Sequence, residues 1–183
     1  NVQKREPLLA GKSVWYSNWE DIDRDLKSAW KKIDEVHWSN LSHDEFAKSV
    51  AHLFPAIWQA HPFREGNTRT VAVFAIKYLR SMRYDVTNAL FKEKSWYFRN
   101  ALVRANYENP KLNVEKTQLP LEEFFKVLIY GYDIELRNRF LRIGYEYGTQ
   151  KAETVRHLHR HDAGVNDGVN DGVNKGDDGV NGA

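Results

Sequence analysis

Apolar side chains recur at three- and four-residue steps from Trp19 to about Arg160, a pattern that is typical of amphipathic helices. Ser42 and Glu45 have the spacing of a capping box, so a helix is expected to begin directly after Ser42. Five helices are predicted, at about 22–33, 43–60, 67–79, 92–107 and 120–132. Regular strands are scarce, and the predicted fold class is therefore mainly α, a helical bundle.

The segment before the first helix has a different pattern. Two short runs that favour strands, Leu8-Leu9 and Val14-Trp15-Tyr16, lie on either side of a turn that contains Gly11. This arrangement predicts a β-hairpin. A surface loop is the alternative interpretation of the same residues.

Composition narrows the class of protein. A chain of 183 residues with 42% hydrophobic residues is long enough for about one domain with a core of its own. The net charge of +2 gives no argument for binding nucleic acid, and the absence of cysteine excludes disulfides and thiolate chemistry. No apolar run approaches the roughly 20 residues that span a bilayer. These features lead us to expect a cytoplasmic protein with no membrane partner.

The end of the chain has its own composition. The sequence Asp-Gly-Val-Asn recurs at 167–170, 171–174 and 178–181. Glycine at this density opposes helix formation, and one valine per repeat cannot build a core, so a flexible linker is predicted. A calcium-binding loop is the weaker alternative, because the closing glutamate of an EF-hand is missing. We expect a domain at 1–160, a linker at 161–183, and a partner domain beyond this chain.

The stretch from His61 to Arg69, HPFREGNTR, combines an imidazole, a carboxylate and two arginines between two predicted helices. Pro62 disfavours helical backbone at the residue before it, and Asn67 is a good cap for the next helix. A short loop that enters a helix through Gly66 presents free N–H groups, and such groups bind phosphate.

The side chains of this stretch fit the same chemistry. Arg69 has the fork geometry that grips phosphate oxygens, Glu65 offers the oxygen ligand that Mg²⁺ prefers, and His61 can accept a proton. The residues alone leave an alternative open, in which His61 is a structural hydrogen-bonding residue and Arg64 and Glu65 form a solvated pair. Chemistry alone therefore points to a phosphate or nucleotide site without fixing a reaction.

The stretch resembles the signature of the Fic (Fic/Doc) family, His-x-Phe-x-Asp/Glu-Gly-Asn-Gly-Arg-x-x-Arg, and the resemblance extends over about residues 5–145. It implies a Fic-type helical bundle with a hairpin flap, acting as a protein adenylyltransferase. Such an enzyme moves AMP from ATP, with Mg²⁺, to a Ser, Thr or Tyr hydroxyl of a protein target. Homodimers also occur in the family.

The resemblance assigns roles to the residues of the motif. It implies that His61 is the general base, that Glu65 holds the Mg²⁺, and that Arg69 binds the phosphate that leaves as pyrophosphate. It also implies that Gly66 and Asn67 line the anion hole for the α-phosphate. Phe63 is expected to point inward and to anchor the loop in the core.

Two further sets of residues follow from the resemblance. Val14, Trp15 and Tyr16 are the candidates for the flap that pairs with the target segment, although Trp15 is equally compatible with core packing. Asn106 and Phe98 are the candidates for the adenine pocket, and an ordinary core position is the alternative for Phe98.

The sequence departs from the signature at two places. Thr68 stands in the nucleotide-binding loop where glycine is usual, and Ala72 replaces the second arginine. A side chain at position 68 can crowd the β-phosphate, so phosphotransfer or transfer of another nucleotide moiety stays open as a second reaction. Loss of the second arginine leaves open a degenerate, non-catalytic regulatory module.

The resemblance implies one further element. Family members carry an inhibitory helix of the form Ser/Thr-x-x-x-Glu-Gly/Asn, and residues 149–154 match its first five positions. Glu153 is thus the candidate inhibitory residue. With Ala72 in place of arginine it has no evident partner, and a solvated helix face is the alternative.

Overall fold

The computed structural model describes residues 5–144, and these are mainly helical. The helices are α1 Ile22–Asp34, α2 His43–Ala60, α3 Asn67–Ser81, α4 Ala89–Glu93, α5 Ser95–Ala105 and α6 Leu119–Tyr130. Single 3₁₀ turns lie at Pro7–Leu9, Trp19–Asp21, Pro110–Leu112 and Asn138–Leu141. Over this range the strand content is one isolated bridge between Asn109 and Val114. The expectation of a mainly α fold is confirmed.

Helix α2 lies at the centre of the bundle and contacts α1, α3, α5 and α6. It begins at the predicted capping box: the Ser42 hydroxyl accepts from the Glu45 N–H at 3.3 Å, and the Glu45 carboxylate accepts from the Ser42 N–H at 2.9 Å. Its buried apolar positions occur on several sides of the helix, as a central helix requires. The end of α2 is therefore held firmly by the rest of the bundle.

Aromatic side chains fill the core between α2, α5 and α6. Phe54, Phe98, Phe124 and Phe125 are each at most 1% exposed, with ring centroids 4.9–6.4 Å apart for the pairs that contact. Most of these pairs are tilted or edge-to-face, the arrangements that aromatic quadrupoles favour. This packing fixes the three helices relative to one another.

Two predicted helices differ in their bounds. The helix expected at 92–107 is divided into α4 and α5, which meet at Lys94, where the backbone leaves the helical region. The last predicted helix ends at Tyr130, because Gly131 adopts a left-handed conformation with φ 68° and caps it. Tyr132 therefore lies outside α6 rather than in its last turn.

The hairpin predicted at the N-terminal end is not confirmed. Leu8 and Leu9 lie in a 3₁₀ turn, and both are buried. Consecutive residues of a strand point to opposite faces, so a strand would have buried only one of the two leucines. The run 14–16 has no regular secondary structure and lies against α2: Ser17 N–H donates to the Gln59 carbonyl, and the Gln59 amide donates to the Trp15 carbonyl.

The two ends of the described chain meet. The Ile143 N–H donates to the Leu8 carbonyl at 3.0 Å, and Phe140 and Leu141 are buried near this contact. None of the helices within residues 5–144 combines the length and apolar character that crossing a membrane requires.

Candidate functional site

The loop 61–66 joins α2 to α3 between two residues with left-handed backbone, His61 at φ 49° and Gly66 at φ 84°. Helix α2 ends at Ala60 and α3 begins at Asn67, as the sequence predicts. Histidine is among the residues that tolerate the left-handed region better than most, and glycine adopts it freely. The loop thus makes a tight turn that places the His61 ring and the first turn of α3 on the same cavity.

Asn67 closes this loop with its side chain. Its Oδ1 accepts from the Phe63 N–H at 3.0 Å, and its Nδ2 donates to the Phe63 carbonyl at 2.6 Å. The residue is 4% exposed, and the N-cap position belongs to Gly66 instead. Because both ends of the Asn67 amide are occupied, what it offers to an anion is its backbone N–H.

The prediction that Phe63 points into the core is wrong. Its side chain is 50% exposed and lines the cavity. The physical reason is the pair of hydrogen bonds from Asn67, which anchors the Phe63 peptide through polar contacts and makes an apolar anchor unnecessary. The same contacts leave the Phe63 ring on the solvent side of the loop.

The first turn of α3 supplies unsatisfied donors. The N–H groups at the beginning of a helix have no acceptor within the helix, and here they belong to residues 67–69. The Arg69 guanidinium folds back over the turn: a Cβ at Gly66 would lie 3.6 Å from its Nη2 atom. Backbone donors and a guanidinium therefore converge at this end of α3, a combination that suits phosphate.

The His61 ring lies among aromatic groups. Its Nδ1 atom is 3.3 Å from the Trp58 carbonyl, and the Tyr16 ring stacks on it with centroids 3.8 Å apart. A carbonyl oxygen can only accept, so this hydrogen bond needs a proton on Nδ1, and Nε2 is then the basic atom of the neutral ring. Burial and the negative charge of Glu6 raise the pKa of Tyr16, partly offset by Arg99.

Thr68 also contacts this aromatic group. The Trp58 indole N–H donates to the Thr68 hydroxyl at 3.0 Å. Trp58 itself is 1% exposed, and its ring meets both His61 and Tyr16 edge-on. The side chain that departs from the family signature thus has a defined partner within the protein.

All the residues from His61 to Arg69 line one cavity of about 730 Å³. The cavity's other walls are Tyr16, Ser17, Trp19, Ile22, Trp58 and Arg99. Arg64 and Arg69 contribute positive charge and Glu65 is the acidic residue of this lining, whereas an ion pair with Glu6 balances the charge of Arg99. A cavity with this balance attracts anions. Ala72 lies further along α3, outside the lining.

Arg99 is a site residue that sequence reasoning missed. It lies on α5 and forms a two-pronged ion pair with Glu6, with nitrogen–oxygen distances of 2.7 and 2.8 Å. Glu6 is 2% exposed, and its hydrogen bonds raise the pKa of Arg99. The two residues are 93 positions apart, and no motif in the sequence signals the pair.

The structure does not bring the proposed adenine residues into this cavity. Phe98 is 1% exposed and packs on Phe91 and Phe124, because it lies on the inner face of α5. The Asn106 amide donates to the carbonyls of Pro55 and Leu102, so it connects α5 to α2 within the core. Both side chains are engaged in packing the bundle.

The flap candidates have three different positions. Val14 is buried, Trp15 is 72% exposed, and Tyr16 contacts the His61 ring. Tyr16 is the one of the three that lines the cavity. Glu153, the candidate inhibitory residue, lies outside the described residues, and so do the repeats at 167–181.

The cavity fits a magnesium ion through one carboxylate. Glu65 is exposed at the cavity, and across residues 5–144 no group of three or more His, Asp or Glu forms a metal cage. Mg²⁺ bound next to phosphates commonly takes one or two carboxylates and completes its octahedron with phosphate oxygens and water. A single glutamate beside the α3 N-terminus matches that requirement.

Comparisons with known proteins agree with this site. Residues 5–79 match the model of the Fic/DOC family, a span that includes the whole motif loop. A search of the curated proteins gives no match. The match over residues 5–79 supports assignment of this part of the chain to the Fic/DOC family.

Among solved structures, the chain resembles BepC from Bartonella tribocorum, a VirB-translocated effector protein crystallised with AMPPNP. The TM-score is 0.54 at 23% sequence identity. The match covers 70% of this chain and 56% of that one, so the chain corresponds to little more than half of BepC. The similarity supports a Fic-type helical fold.

Proposed function

We propose that this chain is a protein adenylyltransferase that moves AMP from ATP to a Ser, Thr or Tyr hydroxyl of a protein target. The observation that carries the proposal is the single cavity in which His61 faces the N-terminus of α3 and the Arg69 guanidinium. The match to the Fic/DOC family model supports nucleotide transfer in general, and AMPPNP in the BepC structure supports an ATP-like nucleotide.

In this reaction the target oxygen attacks the α-phosphorus and forms a new P–O bond. The bond between the α-phosphorus and the bridging oxygen breaks, and pyrophosphate leaves with the electron pair. The proton of the target hydroxyl passes to Nε2 of His61, the atom left basic by the Nδ1 contact with the Trp58 carbonyl. Backbone N–H groups of residues 67–69 and the Arg69 guanidinium stabilise the charge on the phosphates.

Glu65 is the residue that would hold Mg²⁺, which supplies Lewis-acid neutralisation of the phosphate charge when it is bound. Replacing Glu65 with glutamine removes the anionic ligand at nearly constant shape. The protein surface that the target meets is the exposed aromatic rim of the cavity, where Trp19 and Phe63 lie.

Phosphotransfer is the second candidate, and Thr68 is the observation that favours it. A side chain at this position alters the room at the first turn of α3, and a nucleotide bound in the reverse direction would present its terminal phosphate to the target hydroxyl. The hydrogen bond from Trp58 directs the Thr68 hydroxyl to the protein, so AMP transfer remains our first proposal.

Intact-mass spectrometry of the chain and of a cell lysate, with Mg²⁺ and each nucleoside triphosphate in turn, tests the proposal. We expect ATP to add an adenylate to a protein, and His61→Ala and Glu65→Gln to abolish the addition. Addition of a phosphate alone would instead establish phosphotransfer. Equal labelling by the wild type and by His61→Ala would show that the domain is not the catalyst.

A further inference from the structure

We propose that Trp58 and Thr68 form a positioning pair behind His61, in which the Thr68 hydroxyl fixes the Trp58 indole and Trp58 fixes the histidine. The inference rests on the proposed role of His61 as the base. It also gives Thr68 a role that differs from contact with the nucleotide.

Trp58 holds His61 in three ways. Its carbonyl accepts from the His61 backbone N–H at 3.2 Å and faces the Nδ1 atom at 3.3 Å. Its ring lies edge-on to the imidazole, with centroids 5.8 Å apart and planes at 87°. The indole also lies edge-on to Tyr16, whose ring contacts the imidazole with centroids 3.8 Å apart and planes at 31°. The orientation of the base therefore depends on where Trp58 lies.

The indole N–H of Trp58 needs an acceptor, because the residue is 1% exposed and a buried donor without a partner is strongly unfavourable. Thr68 Oγ1 is that acceptor, at 3.0 Å. Glycine, which the family signature has at this position, would leave the indole N–H without this acceptor. Tryptophan at 58 and threonine at 68 are thus matched to each other.

The pair spans the motif loop. Trp58 lies in the last turn of α2, and Thr68 is the second residue of α3. Their hydrogen bond fixes the C-terminal end of α2, which His61 caps, against the first turn of α3. The N-terminus of α3 is the proposed phosphate site. A base and an anion site held in one geometry raise the rate of the chemical step, whereas nucleotide binding depends little on that link. We therefore expect the pair to affect kcat more than the KM for ATP.

A double-mutant cycle on the full chain tests the pair, with Thr68→Val, Trp58→Phe and the double variant. Thr68→Val keeps the shape but leaves the indole N–H buried against a methyl group, and kcat for transfer should fall about tenfold, the equivalent of one lost net hydrogen bond. The double variant has neither polar group, so its loss should be smaller than the product of the two single losses. Thr68→Ser, which keeps the hydroxyl, should lose less than Thr68→Val.

Nitrogen-15 NMR of the same variants gives a readout that needs no turnover. Trp58→Phe identifies the Trp58 indole resonance, and Thr68→Val should shift that resonance together with the His61 ring nitrogens. An unchanged indole resonance, or unchanged His61 nitrogens, would overturn the positioning pair. If the NMR shifts occur but no nucleotide is transferred by the wild type, the pair stands and the proposed function fails.

A glycine at position 68 distinguishes positioning from crowding. The positioning pair predicts that Thr68→Gly transfers more slowly than the wild type. Faster transfer by Thr68→Gly would overturn the inference, because it would mean that the threonine side chain obstructs the nucleotide.

Discussion

Gly66 is required for the backbone conformation of the loop. Its φ of 84° lies in the left-handed region, and a Cβ there would lie 3.6 Å from the Arg69 guanidinium, an ordinary van der Waals contact. Gly131 shares the left-handed conformation, at φ 68°, but a Cβ there would meet nothing within 4 Å. The two glycines share the same strain but differ in position, because Gly66 lines the cavity at the N-terminus of α3 and Gly131 caps the C-terminus of α6.

We expect Gly66→Ala and Gly131→Ala to lower the free energy of unfolding by similar amounts, about 1–2 kcal/mol, since each forces alanine into the left-handed region. Only Gly66→Ala should also weaken nucleotide binding, because strain at residue 66 disturbs the loop that presents the N–H groups of residues 67–69. Urea denaturation measures the first effect, and titration with ATP and Mg²⁺ measures the second. Equal nucleotide affinity of the two variants would contradict the role assigned to the loop at the N-terminus of α3.

At this scale the sequence predicts which residues form the site better than where their side chains point. The motif itself identifies His61, Gly66 and Arg69, because their chemistry is local. The orientation of Phe63 depends on how the Asn67 amide bonds, and the partner of Thr68 lies ten residues earlier in the preceding helix. Such contacts arise only when the loop has closed.

The capping box at the beginning of α2 makes the stability of this helix depend on pH. Hydrogen bonds from the Ser42 hydroxyl and backbone lower the pKa of Glu45 from its ordinary value of 4.5. A carboxyl whose pKa is lower in the folded protein stabilises the fold when it is ionised. That stabilisation is complete above pH 4.5 and disappears as the pH falls through the lowered folded pKa.

Ser42→Ala should therefore lower the melting temperature at pH 7 and lower it much less at a pH well below 4. Thermal denaturation of both proteins at the two pH values gives the comparison. Glu45→Gln, which keeps a weaker acceptor without the charge, serves as the matched variant. A difference between Ser42→Ala and the wild type that is constant with pH would show that the capping box does not involve the ionised carboxyl.

Element boundaries follow the sequence where a residue signals them. Ser42 and Pro62 mark the two ends of α2, and α3 begins at Asn67 as predicted, although Gly66 and not Asn67 takes the N-cap position. The break at Lys94 has no glycine or proline to announce it and depends on packing of Phe91 and Phe98 on the same core. The expected hairpin fails for a similar reason, since burial of both Leu8 and Leu9 decides the local backbone.

At the scale of the whole molecule, the Glu6–Arg99 pair fixes the N-terminal segment to α5 beside the cavity. The Glu6 side chain is 3% exposed and the Arg99 side chain 21%, so the acid depends on its partner more than the base does. Arg99→Met leaves a carboxylate buried without a counter-charge, and we expect a loss of about 3 kcal/mol in the free energy of unfolding.

Glu6→Gln keeps an acceptor for Arg99, and its loss should be smaller, about 1 kcal/mol. Lys27→Met is a suitable control because it removes an exposed ion pair with Asp23, and such pairs contribute at most about 0.5 kcal/mol. Urea denaturation of the three variants measures the order. If Glu6→Gln destabilised the protein more than Arg99→Met, the dependence inferred from burial would be reversed.

The contact between Ile143 and Leu8 has a consequence for how the chain could be rewired. Because these backbones meet at 3.0 Å, a short linker could join the two ends of residues 5–144, and the chain could be reopened elsewhere as a circular permutant. The exposed stretch 111–113 between α5 and α6 is a suitable place to open the chain. It lies outside the motif loop and outside α2 and α3, the two helices that border that loop. In such a permutant the helices would keep their neighbours while their order along the chain changed. A permutant that still bound nucleotide would show that the site depends on how the helices pack and not on their order along the chain.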